Sequence, residues 1–361
     1  MSTATEDPRA AARDDWARAA TGQPDLALAR ASADAGFRSY WRATVPGQGS
    51  VVVMDSPPAL EDVRPWLRMH DLLERGGVRV PRVLARDADA GFLLLEDLGA
   101  DTLLHVIDAG NADAHFDAAI DQLLRIQAIP APDDLPRYDE ALLGRELRLF
   151  DEWFLGRHLG VQPGCGDLEA LDLAYRVLID AALAQPRVLV HRDYMPRNLM
   201  PVDGGLAVLD FQDAVAGPVA YDPTSLFKDA FLSWPPERVE GWLLRYHARA
   251  LDAGIPVPAA PERFLRDARL IGIQRHLKVL GIFARLHHRD GKPKYIADAP
   301  RFLAYLDDAL PGERITEAPP LSATLAVGYL AAFGSILAFS AYVWLLHNVR
   351  PALATATAAA G

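Results

Sequence analysis

Between Phe37 and Asp97 apolar and polar positions alternate at the period of a strand. FRSYWRATV and SVVVMD read as strands around the turn Pro46-Gly47-Gln48-Gly49, and GFLLLEDLG reads as a further strand running into a connector. One helical stretch, LEDVRPWLRMHDLLERG, lies among them. Residues 1–31 are rich in alanine and charge with a helical rhythm, which predicts a lead-in helix without chemistry. Beyond Asp97 the apolar residues recur mostly at helical spacing, from FDAAIDQLLRIQAI and ALLGRELRLFDEWFLGRHL through RFLRDARLIGIQRHLKVLGIFARLHHR to PRFLAYLDDAL. The segment RVLVHRDYMPRNLMPVDGGLAVLDFQDAVAG breaks that run. Within it VLV and LAVLDF read as short strands, and Asp203-Gly204-Gly205 as the tight turn of a hairpin. These changes of period divide the chain into a strand-rich lobe (1–97), a helical lobe (98–316) and a tail (317–361), with no internal repeat.

The tail differs in material. Leu321 to Leu346 carries no charged residue and is long enough, as one helix, to cross a hydrocarbon layer of about 30 Å. Tyr342 and Trp344 lie near one end, and the small residues Gly334 and Ala338 leave room for a neighbouring helix. A buried C-terminal helix is the competing reading, but such a helix normally keeps a polar stripe. Membrane contact through 321–346 is therefore an expectation, with the rest of the chain cytoplasmic and attached to the inner membrane by this helix.

A chain of 361 residues with half of them hydrophobic can bury more than one core, which excludes a disordered tail or a stapled miniprotein. Its net charge of −11, without a long basic run, argues against nucleic acid as partner. The single cysteine, Cys165, cannot form an internal disulfide, and the first residues carry neither a basic nor an apolar leader region, so a reducing cytoplasm is expected. Only four lysines occur, Lys228, Lys278, Lys292 and Lys294, and none precedes residue 228.

The strongest chemical signal is His191-Arg192-Asp193-Tyr194-Met195-Pro196-Arg197-Asn198, followed by Asp210-Phe211-Gln212 after the hairpin. Phosphoryl transfer needs a carboxylate beside the attacking hydroxyl and oxygen ligands for Mg²⁺, because the charge on the moving group must be neutralised while the atoms are held in line. Asp193, Asn198 and Asp210 supply these groups, and a loop plus a hairpin would bring them to one mouth. One carboxamide and one carboxylate suit Mg²⁺, which keeps water and phosphate among its ligands.

With these residues the sequence resembles the kinase-like fold and, within it, the aminoglycoside phosphotransferase and choline kinase group. Tyr221-Asp222-Pro223-Thr224-Ser225-Leu226 looks like that group's second aspartate motif. DAGFRSYWR, VVVMDSPP, LLLEDLG, HRDYMPRNLM, LDFQDAVAGPVAYDPTSL and QRHLKVLGIFARLHHRDGK further resemble the bacterial anomeric kinases of N-acetylmuramate and N-acetylglucosamine in cell-wall recycling, from about Gln23 to Pro311. The resemblance implies an α+β, two-lobed protein-kinase-like fold, with a small antiparallel-sheet N-terminal lobe, a mainly helical C-terminal lobe and here an apolar C-terminal helix. It also implies ATP, Mg²⁺ and an amino sugar whose C1 hydroxyl accepts the phosphoryl group. By the same resemblance Asp193 would orient that hydroxyl and take its proton, while Asn198 and Asp210 would hold Mg²⁺. His191 would prop the loop. Asp222 would accept hydrogen bonds from the loop backbone or from His191, with a helix N-cap as the equal alternative. Asp213 reads as a turn carboxylate rather than a second ligand.

Gly36, Phe37 and Arg38 would belong to the loop over the ATP phosphates, and Glu96 and Leu98 to the connector at the adenine edge. The sequence departs from the broader kinase pattern at Val51-Val52-Val53-Met54-Asp55, where the phosphate-binding lysine is missing. Arg38 or Arg42 would replace its charge, since a guanidinium grips phosphate oxygens in pairs. For the sugar wall, Gln274 and Lys278 share one helix face, Arg275 or Lys278 would meet a carboxylated sugar, and Arg145, Glu146 and Trp153 would form the opposing side. Trp153 is equally expected in an amphipathic core. His287 and His288 read as a solvated helix end, because no further ligand pattern accompanies them.

Two other functions stay open on the residues. A kinase of choline, an aminoglycoside or another small alcohol would present an acidic or aromatic pocket. A membrane-tethered pseudokinase would fit the missing lysine and apolar tail but not the complete Asp193, Asn198 and Asp210 set. The tail resembles a stretch near the end of the small drug/metabolite transporters, as a tether, a fusion remnant or a mis-assembled piece of sequence.

Overall fold

The structure, a computed structural model, describes residues 8–33 and 37–309. In chain order the elements begin with α1 (Pro8–Thr21), β1 (Ala29–Ala33), β2 (Ser39–Val45), β3 (Gly49–Asp55), α2 (Arg64–Arg75), β4 (Val83–Asp87), β5 (Phe92–Glu96), α3 (Leu103–Val106) and α4 (Ala112–Ala128). They continue with α5 (Glu140–Leu149), α6 (Cys165–Leu183), β6 (Arg187–Val190), β7 (Leu199–Val202), β8 (Gly205–Val208) and β9 (Val215–Pro218). Four helices follow, α7 (Tyr221–Phe227), α8 (Pro236–Asp252), α9 (Pro261–His288) and α10 (Ala299–Ala309). The chain forms two compact units: Met1–Ile129 with Pro196–Ala214, and Pro130–Met195 with Val215–Gly361.

The first unit is built on an antiparallel five-stranded sheet of order β1-β2-β3-β5-β4. The predicted turn joins β2 and β3 with Val45 opposite Gly49, and Gly47 and Gly49 supply the positive φ values of 75° and 91° that the reversal requires. Val51, Val53 and Leu94 bury one face of the sheet against Ala17 of α1 and Leu26. Helix α2 buries Trp66, Met69, His70 and Leu73, the stripe expected of an amphipathic helix, and the Trp66 ring lies 5.1 Å from that of Phe211. The hairpin β7–β8 turns through Asp203-Gly204 as read from the sequence. The segment LAVLDF is shorter than expected, leaving the ladder after Val208, and VLV lies in β6 as expected, paired with β9. Strand β1, ARASA, falls partly within the stretch expected to be helical; pairing with β2 overrides the helical preference of alanine and arginine.

The second unit surrounds α9, a helix of 28 residues. Leu147, Phe150, Leu178, Leu277, Leu280 and Phe302 belong to its continuous apolar core, drawn from α5, the π-helical stretch Phe150–His158, α6, α9 and α10. Gly281 is required by the closest approach, since a Cβ there would lie 2.4 Å from the backbone carbon of Leu149. All seven residues of α7 are buried, which fixes Asp222 in place.

No helix among the described residues is long and apolar enough to cross a membrane. The expected apolar C-terminal helix, 321–346, lies outside the described residues.

Candidate active site

In the first unit the hairpin places two of the expected metal ligands. Asn198 ends a short 3₁₀ turn, Pro196–Asn198, and its carbonyl accepts a hydrogen bond from the Leu209 N–H at 2.9 Å, extending the β7–β8 pairing by one step. Asp210 follows directly, in the left-handed region at φ 61°. A non-glycine residue held there is strained, and such strain gathers at functional positions. Asp210 Oδ1 accepts from Gln212 Nε2 at 2.9 Å and faces Arg38 Nη2 at 3.7 Å. Arg38 is buried, and its Nε lies 3.3 Å from Glu61 Oε1. Glu61 went unnoticed in the sequence, where nothing distinguishes it from other surface carboxylates.

A cavity of about 470 Å³ opens in this unit. Val52, Leu95, Leu98 and Met200 give it apolar walls, and Asn198 and Asp210 give it oxygen-bearing side chains. Its size and mixed lining are those of a small-molecule site. Arg42 and Glu96 also reach the wall, but their side chains are engaged by the protein. Arg42 donates to Asp97 from Nε at 2.6 Å and Nη2 at 2.9 Å, and to the Gly99 carbonyl at 2.7 Å. That hydrogen bonding to Asp97 raises the guanidinium pKa further, so Arg42 pins the connector. Glu96 is held by Arg79 at 2.7 Å and approached by Arg82 at 3.3 Å; the hydrogen bond from Arg79 above all pulls its carboxyl down to about 2. Phe37 is 60% exposed, and Gly36 lies outside the described residues.

The remaining segment, His191 to Met195, belongs to the second unit. It leaves β6 and turns at Arg192, a second non-glycine residue with positive φ, 74°. Asp222 secures the turn by accepting from the backbone N–H groups of His191 at 2.7 Å and Arg192 at 3.0 Å. The carboxylate is wholly buried, and burial pushes it up to about 6 although His191 and these N–H groups favour its charge. The Asp193 N–H lies 3.3 Å from His191 Nδ1, so His191 supports the backbone of the residue expected to act as base.

Behind the turn lies a buried charged cluster. Glu146 Oε1 meets Arg192 Nη2 at 2.6 Å and Lys278 Nζ at 2.8 Å, while Oε2 accepts from Gln274 Nε2 at 3.2 Å and from the Tyr138 hydroxyl. Lys278 also donates to the Tyr221 hydroxyl at 3.2 Å. Burial opposes ionisation of Glu146, but Lys278 and Arg192 outweigh it and hold the carboxyl below its usual range. Burial likewise opposes the charge of Lys278, and Tyr221 and Glu146 outweigh it.

Glu146, Gln274 and Lys278 are thus brought together, and their expected companions are not. Arg145 is exposed and lines a groove with Arg148 and Arg176, because consecutive helical residues point about 100° apart. Arg275 turns away for the same reason and donates to the Lys228 carbonyl at 3.3 Å. Trp153 packs against the helical core, with the Arg157 guanidinium 5.5 Å from its ring. Arg192 was part of the motif, but its local spacing gave no hint of the partner 46 residues away.

Residues 27–265 match the phosphotransferase enzyme family. An N-acetylmuramate/N-acetylglucosamine kinase of Pseudomonas putida is 54% identical over 287 residues, covering 80% of this chain and 84% of that protein. Among solved structures, the ADP-bound aminoglycoside phosphotransferase APH(2'')-Ib superposes with a TM-score of 0.55 at 16% identity, over 81% of this chain and 97% of the other. The choline kinase LicA of Streptococcus pneumoniae gives 0.54 at 15% identity, over 81% and 98%. A separate stretch of 47 residues, 13% of the chain, is 62% identical to the uncharacterised inner membrane transporter YedA of Escherichia coli. The family match across most of the chain and the shared protein-kinase-like architecture agree: this chain belongs to the phosphotransferase enzyme family and is a phosphotransferase.

Proposed function

We propose that this phosphotransferase moves the γ-phosphoryl group of ATP to the anomeric C1 hydroxyl of N-acetylmuramate or N-acetylglucosamine. The observation that carries this reading is the 54% identity, over most of both chains, to a kinase named for those two sugars. The residues support it independently. Asp193 would orient the acceptor hydroxyl and take its proton; a hemiacetal hydroxyl is more acidic than an ordinary alcohol, so an unexceptional carboxylate suffices. Val52, Leu95 and Leu98 would receive the adenine ring in the cavity that Asn198 and Asp210 also line.

The donor set of one carboxamide and one carboxylate fits Mg²⁺, with Asn198 and Asp210 as its protein ligands. When bound, the ion neutralises charge on the phosphate oxygens during transfer. Arg38 takes the place of the missing lysine in this reading: it faces Asp210 and pairs with Glu61, whereas Arg42 is committed to Asp97. In the other unit, Arg192 and Lys278 against the single carboxylate of Glu146 leave one net positive charge beside the catalytic segment. That balance suits the lactyl carboxylate of a muramate and disfavours a choline or aminoglycoside cation.

Release of ADP by the full chain, with Mg²⁺ and each acceptor in turn, tests the substrate class. Turnover with the two amino sugars and none with choline or an aminoglycoside is expected. Turnover with only the cationic acceptors overturns the proposal.

A further inference from the structure

Three histidines that the phosphotransfer chemistry does not use lie together. His287 and His288 close α9, and His158 ends the π-helical stretch Phe150–His158, yet the fold brings all three side chains into one group. His158 Nδ1 lies 3.3 Å from His288 Nε2. Two imidazole nitrogens bound to one tetrahedral Zn²⁺ stand roughly 3.3 Å apart, given Zn–N bonds of about 2.05 Å. A ligand atom from each ring lies within 4.8 Å of the others. The His287 Nδ1 atom is buried without a hydrogen-bond partner. Such an orphaned nitrogen calls for a ligand.

The surroundings agree with the spacing. His288 is exposed and gives access from solvent. Nine residues of π-helix are rare, and π segments recur at functional sites because their wider turn redirects side chains. Three imidazoles without an oxygen donor do not suit Mg²⁺, which prefers carboxylate, water and phosphate.

We propose that His158, His287 and His288 form a binding site for a borderline divalent transition metal, Zn²⁺ above all, separate from the nucleotide-associated Mg²⁺ and with one position open to water. The ion ties the end of α9 to the π-helical stretch, so its binding adds stability by mass action.

Zn²⁺ titration of the full chain against a chromogenic chelator, with Co²⁺ absorption spectra and thermal melting, tests the site. Wild type is compared with His158→Ala, His288→Ala and, as a control for the other metal site, Asp210→Asn. One equivalent of Zn²⁺, an intense visible Co²⁺ band of tetrahedral type and a Zn²⁺-dependent rise in Tm are expected in wild type and Asp210→Asn, and are lost in both histidine variants. His288 is exposed, so its replacement leaves the fold intact even if His158→Ala does not fold. Absence of binding in wild type, which leaves His158 and His288 joined only by an N–H···N hydrogen bond, overturns the proposal. Binding retained in His288→Ala, or lost in Asp210→Asn, does so as well.

Discussion

Arg192 and Asp210 are the non-glycine residues with positive φ among the described residues, and both lie in segments proposed to carry the chemistry. Each conformation costs roughly 1–2 kcal/mol, so neighbouring contacts must enforce it. For Arg192 the enforcing groups are Asp222 and Glu146. Asp193→Ala is predicted to lower kcat by several powers of ten with the KM for ATP nearly unchanged, in steady-state assays, since the lost interaction belongs to the transition state. Unchanged turnover would remove Asp193 from the mechanism. Arg38→Ala is predicted to raise the KM for ATP and lower kcat, and Arg42→Ala to do less, because Arg42 serves Asp97. The reverse order would make Arg42 the phosphate cation. Asp222 gives a pH signature. Its folded pKa, raised to about 6, exceeds the unfolded value, so folding takes up a proton between about pH 4 and 6. This contribution is complete below about pH 4 and lost as pH rises through about 6, a span worth about 3 kcal/mol. Urea unfolding across that range should therefore show wild type losing stability relative to Asp222→Asn as pH increases; parallel profiles contradict the assignment. The same variant should turn over more slowly, since a neutral carboxamide holds the two loop N–H groups less strongly.

Helix α9 combines an uninterrupted apolar face with a glycine at its tightest contact. Gly281→Ala is predicted to destabilise by about 1–3 kcal/mol, because a methyl group would press on the Leu149 backbone. Gly241→Ala, on the exposed side of α8 with open space around it, should stabilise by about 0.5–1 kcal/mol. Chemical denaturation of the two variants separates contact from propensity, and equal effects would contradict the packing argument. Gly281 also shows what sequence could not reveal. The period of 3.6 made α9 legible, but which of its residues meets a backbone depends on the partner helix. Strands β2 and β3 were legible because their turn residues and alternation agree, while ARASA was not, because its pairing is decided by β2. The π-helical stretch left no mark on the periodicity, and with it the meeting of His158 with His287 and His288 went unread. Asn198 and Asp210 were legible through Gly204-Gly205, which fixes the hairpin and so their separation. Arg145 and Arg275 were misplaced because spacing along a helix gives relative direction, not which direction faces the site.

The residues proposed to carry the chemistry fall in two units, and the segment His191–Asn198 passes from one to the other at Met195–Pro196. The cavity with Asn198 and Asp210 in its wall belongs to the first unit; the proposed base and the charged cluster behind it belong to the second. Net charge across the chain is −11, so the local excess of cations around Glu146 is a property of the fold rather than of composition. Sequence motifs were enough for the reaction class, because phosphoryl transfer demands few residue types in a fixed order. They were weaker for the acceptor, because the residues proposed to meet it lie on helix faces distant in sequence. The acceptor atom is therefore the point to measure. Phosphorus NMR of the full chain with ATP, Mg²⁺ and each amino sugar should show a sugar 1-phosphate, with coupling to the anomeric proton, appearing as ATP is consumed. A phosphomonoester at the C6 hydroxyl, or ATP unchanged beside both sugars, would contradict the account.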